Sequence, residues 1–248
     1  MFNLDQFKNF FKYYEDLPHQ QEAIRELFED MNPSLLTDEA VWVKKYRQSN
    51  SATELDTHTA WPITKEQLGR IMLCSADALP DSLMTDLAKC VDLYKMSTTS
   101  LAYFLGQCGH ESAGLRYPVE IHSGSNYEFR SDLGNVAAGD GVKYAGTGYI
   151  QVTGRANHQD FSNYLTRHGK PDSRVMDIGK TYSSEVYPWS ISGFWWYNNG
   201  MNQAAQQLPG VDDVGARVNG KYLPNGFADR RQYSRRAFEV LGLEYPGN

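Results

Sequence analysis

Apolar residues recur at three- and four-residue spacing through most of the chain, the signature of helices packed by one face. In the first fifty residues Phe2, Phe7, Phe10, Phe11 and Tyr14 form one such stripe. Ala23, Ile24, Leu27 and Phe28 form a second after Leu17-Pro18, and Ala40, Val41, Val43 and Tyr46 a third beyond the break at Asn32-Pro33. The polar run Gln48–Thr53 and the aperiodic stretch to His58 predict a linker at 51–60. Residues 1–50 therefore read as a small helical accessory module and 61–248 as one continuous domain. A piece as small as the first is marginal alone and needs a surface to pack on.

Within the larger part, Thr64 followed by Gln67 is a capping-box pattern at a helix start. Pro80-Asp81 opens a helix carrying Leu83, Leu87 and Val91. Ser97 to Ser100 cap another with Leu101, Phe104, Leu105 and Cys108. Helical patterns resume at Arg155, at Tyr187 to Asn199, at Asn202 to Leu208 and at Ala228 to Leu241. Between them, Gly114 to Gly154 is rich in Gly and Asn, and the alternation from Val142 to Val152 predicts a small hairpin or irregular β element. The expected architecture is mainly α, with a small glycine-rich β inset between two helical halves.

Composition narrows the function classes. At 248 residues, with 41% hydrophobic and 22% charged residues, the chain is ordinary globular material of about one domain plus an attachment. No run approaches the ~18 apolar residues of a membrane span. Asp5 and Lys8 interrupt the N-terminal apolar residues, so no signal peptide and no membrane insertion are expected. A net charge of -6 disfavours a broad nucleic-acid surface. Cys74, Cys90 and Cys108 are odd in number and sit in helical segments, as small buried hydrophobes do. Spacing excludes several chemistries. His110-Glu111 begins like a zinc-protease motif, but position 114 is Gly. Gly146 and Gly148 suggest a dinucleotide loop, but 151 is Gln. Gly134 and Gly139 have phosphate-loop spacing, but Asp140 replaces the lysine. No metal and no cofactor are indicated.

The helix from Ser97 carries the chemistry. Leu101, Phe104 and Cys108 share a face, and Glu111 continues that stripe before Gly114 ends the helix. A carboxyl group there is partly desolvated, as a general acid requires. The plainer alternative is that Glu111 turns out at the helix end and pairs with a basic residue. Glu120 and Glu128 follow in a segment of weak regular structure. Two carboxylates across a cleft are the tools of glycoside hydrolysis.

At these residues the chain resembles the family 19 glycoside hydrolases, the chitinase and phage-endolysin group with a lysozyme-like helical fold. The matching text runs from Phe104 to Gly114, through Asp132-Leu133-Gly134-Asn135, to Gly139-Asp140-Gly141 and on to Asn157. It continues in Ser192–Trp196, Asn199–Asn202, Val218-Asn219-Gly220 and Asn225–Arg231, spanning about 61–242 and leaving the first sixty residues outside. The resemblance implies that Glu111 is the general acid and that Glu120 is the general base of an inverting displacement, with Thr153 helping to hold the attacking water. Glu128 stays open as an alternative base. Tyr144, Gln151, Asn157, Asn219 and Arg230 match sugar-contacting or cleft-supporting positions. Three departures touch the inset: Gly146-Thr147-Gly148 lacks the arginine common between those glycines, Phe129 stands where Gly precedes Arg130, and Ala138 stands where Pro is frequent.

His110, about 100° round the helix from Glu111, is expected to be a hydrogen-bonded structural residue. Of Trp195, Trp196 and Tyr197, at least one Trp belongs in the core. The basic cluster Arg230, Arg231, Arg235 and Arg236 reads either as an attractor for an anionic wall polymer or as a solvated helix face. The expected activity is cleavage of β-1,4 bonds in an N-acetylhexosamine polymer. Peptidoglycan is preferred over chitin, because the resemblance is closest to the compact phage and bacterial endolysins. That resemblance implies a protein held in the host cytoplasm until released to the wall, or carried in a virion, with residues 1–50 docking to either. A chitinase of the same mechanism and a non-catalytic glycan-binding or structural virion protein are the alternatives.

Overall fold

The computed structural model describes residues 63–208, 210–220 and 226–247; the accessory module expected at 1–50 and the linker at 51–60 lie outside them. The expected capping box is built. Thr64 Oγ1 accepts the Gln67 N–H at 3.2 Å, and Gln67 Oε1 accepts the Thr64 N–H at 2.8 Å, which starts α1 (Lys65–Met72). After Pro80 comes α2 (Asp81–Leu93), and after Ser97, whose hydroxyl accepts the Ser100 N–H at 3.1 Å, comes α3 (Thr98–Glu111). The order continues with α4 (Asp140–Lys143), α5 (Arg155–Arg167), α6 (Arg174–Asp177) and α7 (Lys180–Val186). It ends with α8 (Pro188–Asn198), α9 (Met201–Gln207), α10 (Val211–Asn219) and α11 (Phe227–Val240). No expectation covered α6, α7 or α10, each too short for its apolar residues to establish a period.

α3 is the centre. Every residue from Ser100 to Gly109 is buried, so the stripe of Leu101, Phe104 and Cys108 belongs to a helix enclosed on all sides. α11 is its most extensive partner, and α1, α9 and α10 also pack on it. Two glycines set the closeness of that pairing. A Cβ at Gly106 would fall 2.7 Å from Ser234 Cα, and one at Gly109 would fall 2.4 Å from the Tyr233 ring. Tyr103 meets Phe238 edge-on at 4.9 Å, while Phe104 contacts both Trp189 and Trp196 of α8. Trp196 is fully buried, the expected core tryptophan, and its Nε1–H donates to Ser100 Oγ at 3.0 Å. Cys90 and Cys108 are buried free thiols, and Cys74 is half-buried.

The inset departs from expectation. Among the described residues it contains no β-strand, only isolated antiparallel bridges pairing Thr147 with Val119 and with Val152. Two physical reasons account for this. The stretch from Val142 opens inside α4, and Tyr144 through Ile150 are buried one after another rather than alternately. Gly148 and Gln151 then take left-handed backbone (φ 70° and 59°), folding Thr147 back onto Val152 within a few residues. Thr147 itself is sealed in: its hydroxyl donates to the Lys180 carbonyl at 3.0 Å and meets Ser184 Oγ. The threonine that stands where an arginine is common is therefore fully buried.

α8 starts under an unusual cap. Its first-turn N–H groups at Trp189 and Ser190 donate to Asp86 Oδ2 of α2, at 2.8 and 3.1 Å, and the Ser190 hydroxyl donates to Oδ1. Burial pushes the Asp86 carboxyl up to about 6 from 3.8, against the pull of these donors. Between those values the folded chain holds a proton that the unfolded chain has lost, so stability falls as pH rises through the window, by up to about 3 kcal/mol. Urea unfolding of the parent and Asp86→Asn from pH 4 to 7 is expected to show the parent losing stability relative to the variant across that range. A pH-independent difference would refute the assignment.

Candidate active site

Glu111 is the last residue of α3, and the chain leaves it through a tight closure. The Ala113 N–H bonds the His110 carbonyl at 3.2 Å and the Gly114 N–H bonds the Gly109 carbonyl at 2.7 Å, with Ala113 and Gly114 both left-handed. The residue that first turns left-handed is thus Ala113, one before the glycine expected to terminate the helix. From the opposite side, α11 delivers Arg230, which is 1% exposed. Its Nη1 donates to Gln107 Oε1 at 2.6 Å, and its Nη2 donates to Glu111 Oε1. Gln107 is one turn before Glu111, so a single guanidinium spans two rungs of α3. The Glu111 side chain keeps 22% of its surface exposed. Both sequence readings therefore meet in one residue: it ends a buried helix, and it pairs with a cation.

The neighbouring residues repeat the pairing. His110 Nδ1 lies 2.8 Å from Asp229 Oδ2, joining α3 to α11 one residue along from the Glu111–Arg230 pair. This is the structural role expected of His110. The rest of the basic cluster is also engaged. Arg231 pairs with Asp212, Arg235 lies over the Tyr245 ring, and Arg236 donates to the Ile71 carbonyl at 2.9 Å. Within the cluster Arg230 is buried, whereas Arg235 is exposed and in contact with a ring.

Glu120 lies on the loop that follows α3. Its Oε1 accepts the Tyr127 hydroxyl at 3.1 Å, its Oε2 accepts the Gly146 N–H at 2.8 Å, and its own N–H donates to the Gly146 carbonyl at 2.8 Å. Burial and the adjacent carboxylate push the Tyr127 phenol up, so it remains a donor. Gly146 is closely approached by both side chains: a Cβ there would stand 2.4 Å from Gln151 Oε1 and 3.0 Å from Glu120 Oε2. Glu120 and Gln151 are thus brought together over one backbone residue. Gln151 Nε2 donates to the Tyr117 and Gly148 carbonyls at 3.1 and 3.2 Å. Thr153 Oγ1 donates to the Gln151 carbonyl at 3.0 Å, and Asn157 Nδ2 to the Thr153 carbonyl at 2.7 Å. The Tyr117 N–H returns to the Ser112 carbonyl at 3.1 Å, tying this loop to the residue after Glu111.

Other residues implied by the resemblance lie differently. Glu128 Oε2 accepts the Gly139 N–H at 3.0 Å and Oε1 accepts the Val142 N–H at 3.4 Å, so it holds the start of α4. Tyr144 is 1% exposed and donates its hydroxyl to the Met176 carbonyl at 2.8 Å. It supports the wall with His158, whose ring packs on it at 5.1 Å and whose proton affinity burial lowers to about 4. Asn219 ends α10, half-buried. Three members of the site escaped sequence reasoning. Gln107 was signalled by its i−4 spacing from Glu111. Tyr127 and the Gly146 N–H had no local signal, because their partner is 7 and 26 residues away.

Comparison with known proteins bears on the sequence and the fold as a whole. No family model matches the chain. It is 26% identical over 160 residues to a glycosyl hydrolase family 19 domain-containing protein of Haemophilus influenzae, an alignment covering 52% of this chain and 74% of that protein. It is 26% identical over 167 residues to chitinase 8 of Oryza sativa subsp. japonica, covering 60% of this chain and 62% of that one, just under two thirds of its length. Its fold superposes on chitinase C from Streptomyces griseus HUT6037 with a TM-score of 0.57 at 18% identity, covering 76% of this chain and 79% of that one. The chain is thus similar in sequence to proteins bearing the family 19 glycosyl hydrolase and chitinase names, and similar in fold to a solved chitinase.

Proposed function

We propose that the chain is an inverting glycoside hydrolase that cleaves β-1,4 bonds of an N-acetylhexosamine polymer. The observation that carries this reading is a pair of carboxylates with different supports. Glu111 ends a rigid buried helix and is fixed through one oxygen by Arg230, while Glu120 lies on a loop and is fixed by Tyr127 and Gly146. Glu111 gives its proton to the bridging oxygen as the bond from the anomeric carbon to that oxygen breaks. Glu120 takes a proton from a water whose oxygen bonds the anomeric carbon from the opposite face. Thr153 and Gln151, linked through the main chain, supply polar groups beside that water and the acetamido group. The engagement of Glu128 at the start of α4 supports Glu120 as the base.

Peptidoglycan is the substrate we propose first, on the motif resemblance to the compact endolysins. In this reading residues 1–50 dock the protein to the wall or the virion. Chitin is the second reading, favoured by the names borne by the rice and Streptomyces relatives. Mass analysis of fragments released from purified sacculi, beside hydrolysis of chitohexaose, separates the two.

Glu111→Gln is expected to abolish turnover in both assays, and parent-like clearing of sacculi would remove Glu111 as the acid. Glu120→Gln should slow hydrolysis on the order of 10²–10⁴-fold, whereas Glu128→Gln should keep the parent rate with reduced thermal stability. The reverse ranking would move the base to Glu128. Early product followed by NMR should be the α anomer. Arg230→Lys cannot reproduce the fork between Gln107 and Glu111, so urea unfolding should show a loss of about 1–3 kcal/mol together with a lower kcat.

A further inference from the structure

Tyr127, Glu128, Phe129 and Arg130 form a type II turn. Glu128 has φ −59° and ψ 134°, Phe129 has φ 56°, and the Arg130 N–H bonds the Tyr127 carbonyl at 3.3 Å. The third position of such a turn is left-handed and calls for glycine, because a side chain there crowds its own backbone. Here it carries a phenyl group instead. Nothing in the packing rewards that choice, since Phe129 is 65% exposed. The turn is already secured without the ring. The Tyr127 carbonyl also accepts Asn135 Nδ2 at 2.9 Å, and the Asn135 N–H donates to the Arg130 carbonyl at 3.0 Å. A strained backbone bearing an unburied aromatic ring has its use outside the fold.

The turn's position says where that use lies. Its first residue, Tyr127, holds Glu120 through its hydroxyl, so the ring stands two residues from a group that touches the candidate base. Ile121, the residue after Glu120, is also exposed, at 74%. Two exposed apolar side chains, Ile121 and Phe129, thus lie on the same loop as Glu120 and Tyr127. A pyranose ring presents this mixed chemistry, with hydroxyl and acetamido groups at its edge and C–H bonds on its faces.

We propose that Phe129 is a carbohydrate-stacking residue, placed on the Glu120 side of the site to take the C–H face of an N-acetylhexosamine unit of the polymer. The assignment rests on the glycosidase reading for the identity of its ligand. It adds a specificity-determining contact that turns an exposed ring into buried surface on binding. The backbone strain at this position then has a counterpart in substrate affinity.

The test measures binding apart from hydrolysis, by calorimetric titration of chitohexaose into the full chain carrying Glu111→Gln. Adding Phe129→Gly should weaken binding roughly tenfold, while adding Phe129→Trp should leave it near the starting value. Thermal unfolding of Phe129→Gly should occur no lower than in the starting protein, because glycine suits the turn. Equal affinity with and without the ring, or no binding by the starting protein, overturns the proposal. So does a lower unfolding temperature for Phe129→Gly, which would make the ring a structural residue. A parent chain that binds chitohexaose through Phe129 but cleaves no glycan would instead overturn the hydrolase reading and leave the stacking contact intact.

Discussion

The close approach of α3 and α11 governs the molecule. Gly106 and Gly109 remove the side chains that would hold the two helices apart, and α11 fits into the space. Only at that separation does Arg230 reach both Gln107 and Glu111 while remaining buried. A buried guanidinium is tolerable when its donors are matched, and here a neutral amide and a carboxylate match them. The His110–Asp229 contact one residue along fixes the rotation of the same two helices. Helix packing and placement of the candidate acid are one constraint seen at two scales.

The second carboxylate follows a different logic. Glu120 lies on a segment without regular structure, and its position comes from a phenol and a backbone N–H contributed by distant parts of the inset. The isolated bridges at Thr147 join Val119 to Val152, so the residue before Glu120 and the residue before Thr153 meet across one buried threonine. The inset does with a few bridges and left-handed residues what a hairpin does elsewhere: it brings separate strings of polar groups to one place.

Much of the helical frame was legible because it is local. Thr64 with Gln67, Pro80-Asp81 and Ser97 with Ser100 announced helix starts within four residues, and the structure begins helices at each. The position of Glu111 at the end of α3 was legible for the same reason. The inset was not legible: its alternating letters conceal consecutive burial, and the left-handed Gln151 carries no compositional mark. The resemblance favours Glu120 over Glu128 as the base, but the sequence does not show what engages either. Both are acids in a loop, and the groups that engage Glu128 lie 11 and 14 residues downstream. The arginines of α11 look alike as letters, yet each has a different partner.

One consequence of the Gly146 contact concerns how such a site changes over generations. Of the two donors on Glu120, the Tyr127 hydroxyl is encoded by a side chain and vanishes with a single codon change. The other is a main-chain amide that every non-proline residue possesses. One substitution can therefore erase the first donor, whereas the second outlasts any change at its own position except to proline.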